Sequence, residues 1–166
     1  MRPEIKIRRA KPDNAEGILH AREAAIRAKA AATYKNDEID GWVGEQPLTP
    51  DSIARMKGAL GDAKAHTYVA EYRGRIIGFS TVISAENILL RAFVAPGDWR
   101  GIGSQLIERA ENEARKYGVA YLDCEASVNA EGFYARHGYE VVERGLYRMQ
   151  CGLEAPCVRM KKRLAG

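Results

Sequence analysis

The chain opens on an alternating pattern. In EIKIRRA, Ile5 and Ile7 sit between charged residues, which predicts a half-buried strand. PDNAEGILHAREAAIRAKAAA then places Ile18, Arg22, Ala25 and Ile26 at helical spacing. It predicts a helix with Asp13 as N-cap, Glu16 completing a capping box, and Arg22 at the edge of the apolar face. NDEIDGWVG predicts a short helix. LTPDSIARMKGALG predicts a better-marked one, with Thr49 as cap, Pro50 at the first position, and Ile53, Met56 and Leu60 on one face. From Thr67 the period changes: TYVAEY, RGR and IIGFSTVIS predict a strand, a glycine turn and a strand, and ENILLRAFVAP a further strand ended by Pro96. A helix from about Gly103 to Tyr117 follows, with Leu106, Ile107, Ala110 and Ala114 inward. VAYLDCEA reads as a strand, NAEGFYARH as a short helix, and YEVVERGLYRM and APCVRMKKRL as the last two strands.

With the short NDEIDGWVG segment left aside, the order is β-α-α-β-β-β-α-β-α-β-β. Antiparallel hairpins come first and a crossover helix later, so the class is a mixed α/β (α+β) sheet and not a doubly wound nucleotide fold. A length of 166 residues, without repeats or linker-like stretches, predicts a single domain over 1–166. No apolar run approaches the roughly 20 residues of a membrane span, and MRPEIKIRRAKPD lacks a signal peptide's apolar core. The expectation is a cytoplasmic protein without a membrane partner. Cys124, Cys151 and Cys157 form no CxxC, and His20, His66 and His137 are scattered, so free buried thiols and no metal site are expected. The net charge of +4 favours polyanionic ligands slightly. Part of it lies in RMKKRLAG, which reads as a terminal strand whose Lys and Arg discourage edge pairing. No basic stripe with interleaved aromatics supports nucleic-acid binding.

Candidate chemistry centres on VAPGDWRGIGSQL. Two glycines stand between a strand and a helix, where unpaired N–H groups and the positive end of the helix dipole make an anion site. Gly101 and Gly103 remove side chains that would hold a phosphate off, so Trp99, Arg100, Gly101, Ile102, Gly103 and Ser104 could present consecutive amides to a pyrophosphate. A P-loop needs GK[ST] where this chain has GSQ, and a dinucleotide fingerprint needs glycine where Leu106 stands. Taken alone, a GxG also fits a tight strand-to-helix turn.

The wider stretch FVAPGDWRGIGSQLIERAENEARKYG resembles the acetyl-CoA-binding motif of the GCN5-related N-acetyltransferases: V-x-P, then [QR]-x-x-G-x-[GA], then an amphipathic helix. Val94, Pro96, Gly101 and Gly103 fit it, while Asp98 departs from the [QR] position. ASVNAEGFYARHGYEVVER resembles the family's second motif through Ala130, Phe133, Tyr134, Gly138 and Tyr139. The resemblance implies the GNAT fold, a twisted, mostly antiparallel sheet splayed at the V-x-P strand with flanking helices. It also implies transfer of an acetyl group from acetyl-CoA, as co-substrate, to a primary amine of a small molecule or peptide.

Carried over residue by residue, the resemblance gives the backbone of Phe93 and Val94 to the pantetheine arm and thioester, and Tyr134 to protonation of the leaving thiolate. Ser127 and Asn129 would stand near pantetheine. The strand glutamate that some relatives use as a base is missing from ILLRAFV, which leaves Glu86 before it, Glu125 on the next strand, or a water relay. Tyr34 and Trp42 are candidates for an aromatic wall of the acceptor pocket, against ordinary packing between the first helices. Because Phe133 and Tyr134 are adjacent on a helix, one should be core and the other should reach the cofactor. His137 reads as a helix C-terminal residue. A homodimer through the C-terminal strands would suit the family. A non-catalytic acyl-CoA-binding or regulatory module on the same fold is the second reading.

Overall fold

The computed structural model describes residues 4–164. Its seven-stranded sheet has two antiparallel halves. β1 (Ile5–Arg9), β2 (His66–Tyr72), β3 (Arg75–Ile83) and β4 (Ile88–Val94) make the first. β5 (Tyr121–Ser127), β7 (Glu154–Arg163) and β6 (Glu140–Arg148) make the second, giving the order β1-β2-β3-β4-β5-β7-β6. The halves meet as parallel neighbours at a single register position, Ile88 opposite Asp123. Beyond it β4 and β5 diverge, so the sheet opens as a V toward Val94 and Ser127.

Local chemistry explains the elements. Arg73 and Gly74 both take positive φ (49° and 77°), the two-residue turn that suits the twist of a β2–β3 hairpin. Thr49 caps α3 (Pro50–Leu60), accepting the Ser52 N–H at 3.2 Å. α4 (Ile102–Lys116) buries Leu106, Ile107, Ala110 and Ala114, the predicted face. Asp13 is not a cap: Pro12–Asn14 form a 3-10 turn in which the Asn14 side chain accepts the Lys11 N–H at 2.8 Å, and α1 runs Ala15–Lys29. The short helix α2 (Asn36–Val43) forms as predicted.

The sheet is covered on both faces. α1 and α3 bury Ile18, Leu19 and Met56 against Val69 and Phe79 on one face. On the other, α4 packs over Tyr68, Ala70 and Ile77 and over Val82, Leu89 and Leu122. Two β-bulges allow this, one opposite the Ala70/Glu71 step and one opposite the Thr81/Val82 step, leaving Ile77 and Leu90 as the extra residues. Arg22 lies at the core rather than at its edge, only 3% exposed, and donates to the carbonyls of Trp42 (2.7 Å) and Val43 (3.2 Å). Those carbonyls close α2, where a cation is favoured.

Other expectations are corrected. β7, which carries the basic RMKKR run, is an interior strand; the edges are β1 and β6. The charges of β7 are used locally, with Lys162 on Glu111 (2.9 Å) and Lys161 over the Tyr121 ring (4.1 Å). Of the thiols only Cys124 is buried; Cys151 is exposed and Cys157 lies between. No described helix is long and apolar enough to cross a membrane. No group of His, Cys, Asp or Glu among the described residues could hold a metal ion.

Candidate functional site

The V between β4 and β5 holds a cleft of about 480 Å³. Its floor is the end of β4 (Ala92, Phe93, Val94), whose backbone pairs with β3 on one side and with nothing on the β5 side. Toward the α4 face it is lined by Gly101, Gly103 and Ser104, and toward the α1 face by Ile26, Lys29 and Trp42. The cleft therefore runs through the gap in the sheet from one face to the other. A larger hollow of about 650 Å³ lies over Asp13, Glu16, His20 and Arg75, but no splayed strand edge borders it.

The glycines serve this cleft in two ways. Gly101 has φ +76°, the left-handed conformation that turns the chain into α4, and a side chain there would meet open space. Gly103 is helical, and a Cβ would stand 3.0 Å from the Phe133 ring. The amides of Gly103 and Ser104 have no hydrogen-bond partner among the described residues, whereas Ile102 and Gln105 donate to Trp99 and Gly101 carbonyls. Two open amides at a helix start, with glycine at 101 and 103, form a cradle for an anionic oxygen.

His137 ends helix α5 (Glu131–Arg136) and reaches across to this cradle. Its Nδ1 lies 2.7 Å from the Phe133 carbonyl and its Nε2 2.7 Å from Ser104 Oγ. A carbonyl only accepts, so Nδ1 carries the proton; in the neutral ring Nε2 then accepts the Ser104 hydroxyl. The sequence reading saw the helix-terminal position and missed the bridge, which no local pattern encodes.

A match to the acetyltransferase (GNAT) domain covers residues 30–164. The chain belongs to the GNAT acetyltransferase family. Its fold agrees: a GCN5-related N-acetyltransferase from Rhodopseudomonas palustris is 24% identical over 98% of both chains, with a TM-score of 0.85. A PaiA N-acetyltransferase from Thermoplasma acidophilum, solved with coenzyme A, is 20% identical over 96% of this chain and 99% of that one, at 0.74. An acetyltransferase from Salmonella typhimurium, solved with acetyl-CoA, is 17% identical over 98% and 95%, at 0.67. No curated protein matches the chain.

Within this GNAT cleft the predicted cofactor residues fall into two groups. Phe93, Val94, Trp99, Gly101, Gly103, Ser104, Ser127 and Asn129 line it. Arg100 and Ile102 do not. Arg100 is 96% exposed and pairs at 3.5 Å with the equally solvated Asp98, so the carboxylate at the motif's [QR] position faces water. Ile102 is a core side chain beside Leu106, placed there by the helical turn that opens the amides after it. Trp99 is held by Tyr72 (5.3 Å between centroids) and by an Nε1 bond to the Pro96 carbonyl.

Tyr134 and Phe133 divide as adjacent helix residues must, but Phe133 is the one that lines the cleft. Tyr134 is buried behind it in the cluster holding Leu89 of β4 and Leu122 and Cys124 of β5, its ring edge-on to Phe133 at 5.5 Å. Burial, then the neighbouring Cys124, raises its pKa well above the ordinary phenol value, so it carries its proton at neutral pH. Tyr34 also stands behind the wall. Its hydroxyl donates to the Pro156 carbonyl (2.5 Å) and accepts the Val128 N–H (2.8 Å), and its ring supports Trp42 at 6.0 Å. Trp42 lines the cleft and meets Phe93 at 6.0 Å.

Glu86 is placed at the wrong end of the V. It is exposed in the turn before β4, beside the closed Ile88–Asp123 end. Five residues of strand, roughly 16 Å, separate Ile88 from Phe93. Glu125 projects from β5 opposite Leu122, Cys124 and Ala126, which places it on the α1 face. One lining group has no sequence signal, the ammonium of Lys29, and outside the lining, after α2, Glu45 accepts from the Tyr147 hydroxyl at 3.0 Å.

Proposed function

We propose that this GNAT member is an acetyl-CoA-dependent N-acetyltransferase acting on a primary amine of a small molecule or peptide, with residues 1–166 as one catalytic domain. The observation that carries the reading is a cleft that joins a free strand edge to two open helix amides and passes through the sheet. A phosphate chain can sit on one face and an amine approach from the other. The fit to coenzyme A rests on the side-chain-free cradle at Gly101 and Gly103. Acetyl-CoA supplies the activated acyl thioester.

The chain's own residues then have three tasks. Amides of Gly103 and Ser104 bind the diphosphate, with Trp99 flanking it. The unpaired backbone at Phe93 and Val94 aligns the pantetheine arm and thioester carbonyl, and Ser127, Asn129 and Phe133 form the opposite wall. A carboxylate or water on the α1 face takes a proton from the acceptor's ammonium, and Glu125 is the strand residue on that face. The amine nitrogen bonds the carbonyl carbon, the carbon–sulfur bond breaks, Tyr134 gives its proton to the sulfur, and the proton shed by the new amide nitrogen returns through water to the tyrosinate. Tyr134 stands directly behind Phe133 of the cleft wall and keeps its proton at neutral pH, which supports that role. The exposed apolar side chains of β6, including Val141, Val142 and Leu146, support a homodimer through the C-terminal strands.

The test is thiol release from acetyl-CoA against a panel of amines and peptides, with Tyr134→Phe alongside. The expected result is amine-dependent release whose kcat falls by about 100-fold or more in the mutant, while acetyl-CoA affinity holds. Equal kcat in the mutant would strip Tyr134 of the acid role. Binding of acetyl-CoA without release for any amine would favour a non-catalytic acyl-CoA-binding module.

A further inference from the structure

Arg91 has no role in the reading above. It lies on β4 two residues before Phe93, and the bulge at Leu90 separates these two from Leu89. Leu89 joins the α4-side core, while Phe93 packs toward α1 and Trp42. Arg91, at the same strand parity as Phe93, projects on that α1 face, about 7 Å along the strand from it. Its electrostatic neighbours there are Arg22, Glu45 and Tyr147.

The half-buried Arg91 guanidinium has no hydrogen bond or ion pair with any described residue. Glu45 and Tyr147 lie near enough to favour its charge, but neither bonds it. Arg22 is a second buried cation whose donors go to backbone carbonyls, not to a carboxylate. Burial and then the proximity of Arg91 lower the Arg22 pKa to about 10. Glu45 is the nearby carboxylate, and one of its oxygens already accepts from the Tyr147 hydroxyl and, at 3.4 Å, the Gln150 N–H. Glu125 is near Tyr147 and accepts from Cys157; Glu23, near Arg22, pairs with Arg27. Guanidinium does not lose its proton under these conditions. A half-buried cation without a bonded partner is unfavourable in the free protein, and an anion arriving with the ligand would relieve it.

We propose that Arg91 receives a carboxylate carried by the amine acceptor, so that the acceptors are amino acids or similar small amino-carboxylates. This rests on the transferase reading and names its substrate class. The planar donor fork matches a carboxylate with two parallel bonds. A phosphate dianion fits less well, because Glu45 and Glu125 border the same face and repel the second charge. The same two carboxylates favour the acceptor's ammonium. Arg91 then fixes which end of a zwitterion turns toward the thioester at Phe93.

The test compares amino acids with their methyl esters and amides as acceptors, for the native protein, Arg91→Gln and Arg91→Lys. The expected KM ratio, ester over acid, is about 10 or more in the native protein and near 1 in Arg91→Gln, with a partial return in Arg91→Lys. Thermal stabilisation by N-acetylated amino acids with coenzyme A present is measured in parallel, because it does not need turnover. Those compounds should stabilise the native protein and not Arg91→Gln. Robust release with equal ratios in all three proteins would overturn the carboxylate site and leave the transferase standing. Arg91-dependent stabilisation without release would keep the site and sink the transferase. Stabilisation absent or equal in both proteins would overturn the site directly.

Discussion

Gly78 offers the sharpest test of how the β4 edge is held. It lies on β3 opposite Val94, where the cleft floor begins. A Cβ there would stand 2.9 Å from the Phe93 carbonyl oxygen, 3.1 Å from Leu106 Cδ1 and 3.3 Å from Val94 Cγ2. The leucine and valine can rotate, but the carbonyl is backbone. To reach ordinary contact, β4 must retreat by roughly half an ångström at the residues proposed to align the thioester. Gly78→Ala gains about 0.5–1 kcal/mol from strand conformation and reduced unfolded-state entropy. It loses about 1–3 kcal/mol to overpacking.

The net lies between zero and a destabilisation of about 2.5 kcal/mol, or a fall in Tm of up to about 10 °C for a chain of this size. The functional effect is larger in proportion, since a misplacement near 1 Å can cost about 100-fold and half of that about 10-fold. The assays are differential scanning fluorimetry and kcat/KM for acetyl-CoA. Gly145→Ala on β6, where a Cβ meets nothing within 4 Å, is the control and should change neither. A folded Gly78→Ala with native kcat/KM would refute the claim that the Phe93 and Val94 backbone positions the cofactor.

Two further substitutions probe the supports of the cleft. Arg22→Met removes charge-assisted bonds to the last α2 carbonyls, partly offset by ending the burial and repulsion that lower its pKa to about 10. A net loss of about 1–3 kcal/mol is expected in urea unfolding, with a raised acceptor KM through displaced Trp42; unchanged stability would deny Arg22 its helix-closing role. His137→Ala removes the 2.7 Å partner that anchors Ser104 at the start of α4 and should weaken acetyl-CoA binding by about 3- to 10-fold through loss of amide alignment, kcat being preserved. Calorimetric titration giving the native Kd would show that the bridge does not position Ser104.

What the sequence made legible was what neighbours along the chain decide. The amphipathic face of α4, the Thr49 cap and the strand–glycine–helix junction all depend on residues within a few positions of one another. Most of the cleft lining came with them. The misreadings share another cause. Arg22 became a core residue because α2 presents bare carbonyls to it, and Tyr34 became a support because Val128 and Pro156 need its hydroxyl. Glu86 looked close to the chemistry in sequence, yet parallel pairing at Ile88 puts it at the closed end of the V.

The bulge on β4 is the clearest case. Read by strict alternation, ILLRAFV sets Leu89, Arg91 and Phe93 on one face, and an arginine between two apolar neighbours looks misplaced. Pairing with β3 supplies the missing step: Leu90 is skipped, so Leu89 turns to the α4 core while Arg91 and Phe93 stay on the α1 face. An extra residue in one strand is defined only by its partner strand, so the ILLRAFV segment alone could not reveal it. The same bulge helps bend β4 away from β5, since bulges increase local twist. One backbone irregularity therefore serves both halves of the proposed site: it helps open the cleft assigned to the thioester, and it turns an unpaired cation toward the face proposed for the amine.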